Sequence, residues 1–182
     1  MSVAKRYRRS GFQMIELVVS VAILGLLIVV TVTGINYPRL REYANDTKRK
    51  AEVAYIANVL GYYYSEQKNY PSKQVWDTVG CDDVIPEFIK KYTNEMPCDP
   101  DTHRPYYYEP TDANGFGSVD PRASYFGFRV MTKLRNQKDT AIRVAGCEPS
   151  GCGITLQSED SPNYGVATGT KISPPGFMPS TQ

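Results

Sequence analysis

The sequence predicts an α+β protein in which one long, bent N-terminal helix packs on a small antiparallel β-sheet head, followed by a loop-rich C-terminus. Three observations support this prediction. An apolar run covers residues 12–35, an apolar stripe at helical spacing follows it, and apolar and polar side chains alternate over residues 123–134. The chain has 182 residues, which is enough for one ordinary domain with an extension.

The apolar run contains no proline between residues 12 and 32, and Glu16 is its sole ionisable side chain there. About 21 residues at a rise of about 1.5 Å each extend roughly 30 Å, the thickness of one bilayer core. Four basic residues precede the run: Lys5, Arg6, Arg8 and Arg9. Basic residues beside a span tend to stay cytoplasmic, so we predict a single-pass membrane helix with its N-terminus in the cytoplasm.

The rest of the chain is close to neutral. The whole sequence carries +2, so the remainder without those four basic charges carries −2. This balance provides no strong electrostatic footprint for nucleic acid, and we predict no nucleic-acid partner. The only histidine, His103, lies in a predicted surface turn. No spacing typical of nucleophilic catalysis and no phosphate-binding loop is evident, so we expect that the protein is not an enzyme.

All four cysteines follow the apolar run: Cys81, Cys98, Cys147 and Cys152. If the N-terminus is cytoplasmic, they lie in a compartment that permits disulfides. Four cysteines allow three pairings, and sequence order favours Cys81–Cys98 and Cys147–Cys152. A zinc site is the alternative, but the spacings are not the close pairs of strong zinc motifs.

The position of Glu16 separates three interpretations of the apolar run. A cleaved secretory signal has a shorter apolar stretch and no glutamate in it. A plain signal anchor explains the length, but it leaves unexplained a carboxylate that costs about 2.5–3.5 kcal/mol at mid-bilayer and less near the cytoplasmic end. A third interpretation gives Glu16 a charged partner.

The stretch SGFQMIE, residues 10–16, resembles the class III signal of type IV prepilins. In that family a membrane peptidase cuts after the glycine, here Gly11, and the new N-terminal residue, here Phe12, is N-methylated. The family's glutamate, fifth in the mature chain, falls on Glu16. The resemblance implies that Glu16 pairs with the α-amine of its own or a neighbouring subunit, which offsets part of the desolvation of both charges. A new subunit would thereby be drawn into register in a helical filament.

The resemblance implies a type IV pilin-like fold. Its expected segments are a cleaved basic leader at residues 1–11, a transmembrane and filament-core half-helix at 12–35, a pilin head at 36–157 and a flexible tail at 158–182. The implied partners are other subunits of a homo-oligomeric filament, the prepilin peptidase and methyltransferase, and an inner-membrane assembly platform. The implied location is the cytoplasmic membrane for the precursor, and an extracellular or periplasmic filament afterwards.

A second, looser pattern resembles the G-type pseudopilins of type II secretion and related pilins. It consists of YP at residues 70–71, MPCDP at 96–100 and PYYYE at 105–109. The family often has a lysine where this chain has Cys98, and the region after residue 109 has its own layout. A surface pilus subunit therefore stands beside two alternatives, a subunit of a secretion pseudopilus and an uncleaved, membrane-anchored extracellular binding module.

The helix is expected to continue beyond the apolar run, with a kink or local opening at Pro38. Its apolar stripe contains Val53, Ile56, Leu60 and Tyr63. Five charged residues are predicted to form its solvated side: Asp46, Lys48, Arg49, Lys50 and Glu52. The NYP sequence at residues 69–71 is predicted to end the helix.

The remaining elements are predicted from local patterns. Residues 86–92 resemble a short helix or turn, and residues 123–134 alternate as a strand with Phe126, Phe128, Val130 and Leu134 on one face. After a turn at 136–139, residues 141–145 are predicted to return as a second strand with Ile142 and Val144 inward. Residues 158–182 are rich in Pro, Gly, Ser and Thr and are predicted to be loop.

One loop is a candidate metal site. Asp112, Asn114 and Asp120 lie in the glycine-containing stretch DANGFGSVD, and hard oxygen ligands on a bent loop suit calcium. The closing glutamate of an EF-hand is missing, and the G-type resemblance implies a calcium loop in this part of the chain. The alternative is a plain surface turn built by strong turn formers. Apart from this possible calcium ion, we expect no cofactor.

Overall fold

The computed structural model describes residues 14–34, 37–82, 84–117, 120, 122–154 and 161–174. It divides into two compact units, Met1–Leu40 and Arg41–Gln182, and we call the second the globular unit. The described elements make an α+β protein with this order: α1 (Met14–Gly34), α2 (Tyr37–Gln67), α3 (Lys73–Trp76), α4 (Glu87–Lys90), β1 (Tyr107–Thr111), β2 (Gly127–Thr132), α5 (Thr140–Val144) and β3 (Tyr164–Thr168).

Helix α1 is a 21-residue apolar helix whose side chains are exposed on every face from Met14 to Val32. Its two described hydroxyl residues satisfy themselves within the helix. Ser20 Oγ donates to Glu16 O at 2.7 Å, and Thr31 Oγ1 donates to Ile28 O at 2.8 Å. Such bonds to the preceding turn let hydroxyls enter an apolar environment without unpaired donors.

Helix α2 begins at Tyr37, one residue before Pro38, where a kink or local opening was predicted. Residues 35–36, between α1 and α2, lie outside the described residues. Pro38 is in the first turn of α2. Its missing N–H costs no hydrogen bond there, because the first amides of a helix have no partner within it. The helix ends at Gln67, close to the predicted end, and the next residue, Lys68, has a left-handed φ of 56° that turns the chain away.

Three of the four residues of the stripe predicted on α2 lie in the main core, and the fourth, Tyr63, is half-buried outside it. Val53, Ile56 and Leu60 are 0–1% exposed. Burying each such side chain contributes about 1.5–3 kcal/mol. Around the stripe lie residues of the loops and the sheet, of which the large aromatic members are Tyr70, Trp76, Tyr106, Tyr108, Tyr125 and Phe128.

The sheet is antiparallel with the order β1-β2-β3. Val130 of the central strand faces Tyr108 on one side and Val166 on the other in the pairing register. All six residues of β2 are buried, because both faces of this strand are covered. The strand predicted over residues 123–134 is therefore confirmed only over Gly127–Thr132. Phe126, which was predicted on its apolar face, precedes the strand and is 51% exposed.

The short helix predicted within residues 86–92 is confirmed as α4. The predictions for residues 141–145 and for the C-terminal loop are wrong. Residues 141–145 were expected to be a strand, and the structure places α5 there. Asp139 is the N-cap of this helix and accepts a hydrogen bond from Ala141 N, which favours helical turns over extension. Ile142 is buried as predicted, but Val144 is 86% exposed because a helix does not return every second residue to one face.

The predicted C-terminal loop contains strand β3, Tyr164–Thr168. Gly165 lies directly against the backbone of Val130 and Met131, where a Cβ atom would collide. A residue that disfavours strands by propensity thus permits the close pairing here. Residues 155–160 and 175–182 of that tail lie outside the described residues.

Candidate functional site

The first candidate site is the surface of α1. Its large apolar side chains are between 50% (Val19) and 90% (Met14) exposed, and no part of α1 from Met14 to Val32 is buried within the chain. A helix that is apolar all round requires lipid or other helices around it. By length and composition α1 is able to cross a membrane, although a signal sequence near an N-terminus meets the same criteria.

Glu16 lies in the first turn of α1 as described, and its side chain is exposed. It is the only carboxylate in this helix. A carboxylate on the surface of an apolar helix can form a hydrogen-bonded ion pair with a cation of a partner. The predicted processing residues Gly11 and Phe12 lie outside the described residues.

The second candidate site is a buried ionic cluster in the globular unit, centred on Arg49. The Arg49 side chain is 1% exposed. Its Nε donates to Asp99 Oδ2 at 2.6 Å, Nη1 donates to Asp46 Oδ1 at 2.8 Å, and Nη2 donates to Asp101 Oδ2 at 2.5 Å. We call Asp46, Arg49, Asp99 and Asp101 the Arg49 cluster.

Asp46 extends the cluster to a third part of the chain. Its two carboxylate oxygens accept hydrogen bonds from the backbone N–H groups of Arg135, at 3.0 Å, and Asn136, at 2.8 Å. The prediction that Asp46 and Arg49 belong to the solvated side of α2 is therefore wrong. Both are 1% exposed, because carboxylates and amides distant in sequence replace the water that they lose.

The cluster shifts the pKa of two of its members, Asp99 and Arg49. Burial raises the pKa of Asp99, but hydrogen bonds from Arg49 and from the amides of Thr102 and Asp101 outweigh it and lower the pKa from 3.8 to about 2. Burial lowers the pKa of Arg49, and hydrogen bonds to the three aspartates outweigh that effect and raise it above its ordinary value. Asp99 and Arg49 therefore face each other as an ion pair at neutral pH.

A disulfide stands next to the cluster. Cys81 and Cys98 are bonded, with their Cα atoms 5.5 Å apart, and Cys98 directly precedes Asp99. Asp99 Oδ1 also accepts from the backbone N–H groups of Asp101 and Thr102, both at 2.9 Å, which shapes the turn that brings Asp101 to Arg49. The covalent bond and this turn together hold the carboxylates in place.

The second disulfide joins Cys147 and Cys152, whose Cα atoms are 4.3 Å apart. Both cysteines are buried, and they pack with Met131, Leu134 and Ile142 in a second, smaller apolar cluster. Both predicted pairings are thus confirmed. The zinc alternative is wrong for these residues, since all four sulfurs are in covalent bonds.

Of the three predicted calcium residues, Asp112 and Asp120 serve as turn acceptors in this structure, and Asn114 donates its backbone N–H to Asp112. Asp112 Oδ1 accepts from Asn114 N at 2.9 Å and from Phe116 N at 3.0 Å, while Asp120 Oδ1 accepts from Arg122 N at 2.9 Å. Within the described residues there is no group of three or more His, Cys, Asp and Glu residues suited to a metal ion. Residues 118, 119 and 121 of this region lie outside that set. The calcium site stays a prediction.

A second buried arginine, Arg129, holds the loop that contains Asp112. From the sequence, this arginine was predicted only as part of the strand over residues 123–134. Arg129 is 0% exposed; its Nη1 donates to Glu109 Oε2 at 2.6 Å, and its Nη2 donates to Gly115 O at 2.6 Å. Its Nε reaches Lys171 O at 2.7 Å. Arg129 thus joins the loop after β1 to the segment after β3.

Comparison with known proteins adds no assignment. No protein-family model matches the sequence, and neither the curated proteins nor the solved structures show a significant match to the chain. The proposed function therefore rests on the residues and contacts of this chain itself.

Proposed function

We propose that this chain is the structural subunit of a type IV pilus-like filament, processed after Gly11, N-methylated at Phe12 and assembled through α1. The observation that carries the proposal is α1 itself. It is apolar on every face, it is exposed from Met14 to Val32, and its single carboxylate, Glu16, stands near its start. Such a surface suits lipid before assembly and the same helix of neighbouring subunits afterwards.

Glu16 gives the proposal a specific contact. A carboxylate in an apolar surrounding is costly unless it is paired, and cleavage after Gly11 would create a positive α-amine a few residues away. Pairing Glu16 with this amine in a neighbouring subunit satisfies both charges. This pairing sets the axial position of each added subunit.

The disulfides support the compartment that the proposal requires. Two disulfides in one small globular unit are typical of proteins that face an oxidising environment. The basic residues before α1 favour a cytoplasmic N-terminus. A helix that spans the membrane between them places the globular unit outside the cytoplasm, where a surface filament is built.

The first test is mass spectrometry of the N-terminal peptide from native membranes or sheared filaments. We expect a chain that starts at a methylated Phe12. A chain that retains residues 5–11 in cells that have the peptidase would contradict the proposal and favour an uncleaved, membrane-anchored binding module.

The second test replaces Glu16. Glu16→Gln removes the charge and keeps the size, so we expect normal cleavage at Gly11 but few or no filaments. The matched control is Glu42→Gln, which neutralises an exposed carboxylate on α2. Equal filament yields from the two variants would show that Glu16 has no role in assembly.

A secretion pseudopilus subunit is the alternative within the same class. The MPCDP element and the loop of Asp112 favour it, since they are the features that resemble G-type pseudopilins. The length of purified filaments separates the two functions. Long surface fibres indicate a pilus, and short periplasmic assemblies that form only with a secretion machine indicate a pseudopilus.

A further inference from the structure

The first two turns of α2, residues 37–44, differ from the rest of that helix. Every residue in this stretch is exposed, with Tyr37, Leu40 and Tyr43 at 74%, 59% and 56%, whereas buried positions begin at Asp46. We call residues 37–44 the collar. The collar is exposed all round, as α1 is, but its composition is different. The sequence of α1 contains no aromatic or basic residue, and the collar sequence, YPRLREYA, contains two tyrosines and two arginines.

The collar contains two cations that the described chain does not use. Arg39 and Arg41 are exposed, and neither forms an ion pair or a side-chain hydrogen bond with any described residue. The residues at positions 35 and 36, which lie outside the described set, are isoleucine and asparagine and carry no charge. Glu42 is the one carboxylate of the collar, and it too is exposed and has no ion pair among the described residues. Two arginines and one glutamate leave the collar with a net positive charge.

The length of the chain limits how far the collar can be from the end of α1. Tyr37 is three residues after Gly34, the last residue of α1, and three residues extend at most about 11 Å. The polar layer on each side of a bilayer core is about 5–7 Å thick. If α1 spans the core, α2 therefore begins within this polar layer or next to it. Tyrosine rings favour that layer, and arginine side chains extend into it towards lipid phosphates.

We propose that the collar binds the headgroups of anionic phospholipids in the non-cytoplasmic leaflet of the membrane that α1 crosses. Arg39 and Arg41 donate to phosphate oxygens in the forked geometry of the guanidinium group, and Tyr37 and Tyr43 lie at the level of the headgroups. Arginines on this side oppose the orientation that the basic residues before α1 favour, and a contact with anionic lipid gives them a role there. The proposal rests on the part of the proposed function in which α1 spans a membrane, and it depends neither on cleavage nor on filament assembly.

The test is photo-crosslinking of the full chain in vesicles of equal parts phosphatidylglycerol and phosphatidylcholine with the same acyl chains. Tyr43→p-benzoylphenylalanine places a photoreactive ring in the collar, and mass spectrometry of the adducts identifies what this ring contacts. We expect lipid adducts in which phosphatidylglycerol is favoured about fivefold, the factor that one net cation at a membrane surface supplies. The double variant Arg39→Gln, Arg41→Gln should reduce this ratio to about one or below.

The matched control for the charges is the double variant Arg122→Gln, Arg143→Gln, which removes two arginines from exposed positions of the globular unit. It should leave the ratio of the two lipid adducts at Tyr43 unchanged. An equal fall in this control would overturn the proposal, and so would an unchanged ratio in the double variant of the collar.

Two further crosslinking positions separate the collar from the membrane span and from the rest of α2. Lipid adducts from Leu24→p-benzoylphenylalanine, but none from Tyr43, would overturn the collar and leave the membrane span intact; no lipid adducts from either position would overturn both. Tyr62, which is 64% exposed and 19 positions further along α2, should give few lipid adducts. Equal lipid adducts at Tyr43 and Tyr62 would overturn the proposal, as would adducts of Tyr43 with a second copy of the chain in place of lipid.

Discussion

Helix α1 and the globular unit place apolar and charged groups in opposite ways. In α1 the large apolar side chains are 50–90% exposed, and the single charge, Glu16, is exposed with them. In the globular unit the apolar stripe of α2 is buried, and Arg49 is buried with it at 1% exposure. The globular unit therefore buries its main apolar stripe and pairs its buried Arg49 within its own sequence, whereas α1 requires an apolar environment that the described chain does not supply.

The two regions obtain their stability from different sources. The globular unit relies on its core, two disulfides and the Arg49 cluster. The stability of α1 depends on what surrounds it, since its backbone bonds and the hydroxyl groups of Ser20 and Thr31 are already satisfied inside the helix. Four predictions test this division, in order of decreasing effect on the unfolding free energy of the globular unit.

The largest effect is expected from Arg49→Met, which keeps apolar volume but leaves buried carboxylates without their cation. The unfolding free energy should fall by about 3–5 kcal/mol. The measurement is chemical denaturation of the detergent-solubilised full chain, followed by the fluorescence of Trp76, the single tryptophan. Lys48→Met is the control on the exposed side of the same helix and should change stability by less than about 0.5 kcal/mol. Similar losses in both variants would refute the assigned role of the cluster.

The two disulfides should differ in their effects. Removing the Cys81–Cys98 bond with alanines, at a sequence separation of 17, should cost about 3 kcal/mol from the loop-closure entropy of the unfolded chain. Removing Cys147–Cys152, at a separation of 5, should cost about 2 kcal/mol by the same relation. Denaturation of the two double variants under identical conditions measures the difference. The reverse order would show that native packing, not loop length, dominates.

Acid should weaken the Arg49 cluster through Asp99. Its folded-state pKa of about 2 lies below its ordinary value of 3.8, so its contribution is complete above about pH 4 and is lost as the pH falls towards 2. This loss amounts to about 2 kcal/mol. Asp99→Asn should be less stable at neutral pH and should show a smaller decline between pH 4 and pH 2. Parallel pH profiles for the two proteins would contradict the assignment.

The smallest effect is expected from leucine truncation in α1. Leu24→Ala should change the unfolding free energy of the globular unit by less than about 0.5 kcal/mol, because Leu24 is 58% exposed. Leu60→Ala makes the same chemical change at 0% exposure and should cost about 2–5 kcal/mol. Comparable losses at the two positions, measured by the same denaturation, would show that α1 contributes to the stability of the globular unit.

Patterns among residues that are near one another in the sequence predicted part of the fold correctly. The stripe of α2, the centre of β2 and α4 follow from periodicity and from proline placement. The disulfides follow from compartment and sequence order. Each of these inferences requires only residues that are near one another, or a property of the whole chain.

The errors share a different cause. Arg49 was assigned to solvent because its partners, Asp99 and Asp101, are 50 and 52 residues away, and helical periodicity contains no information about them. The aspartate at an i, i+3 spacing, Asp46, was the one available signal. Strand β3 was missed because its Gly- and Ser-rich surroundings predict loop, and only pairing with β2 makes it a strand.

The error at α5 had a signal that was available. Asp139-Thr140 before a short apolar segment is typical of a helix N-terminus, and Asp139 does cap α5. A five-residue segment fits alternation and helical spacing almost equally well, so the cap is the better guide there.

The resemblance to prepilins rests on residues 10–16, of which only part lies within the described chain.

The spacing of the Arg49 cluster along the chain predicts that the cluster forms late in folding. Its bonds join residues 50, 52 and 89 positions apart, so each requires a long loop to close before it can form. Such contacts assemble late, after α2 and the β1–β2 hairpin have brought their ends together. A late contact resists unfolding more than it accelerates folding. We therefore expect the cluster to lengthen the lifetime of the folded globular unit more than it speeds its formation.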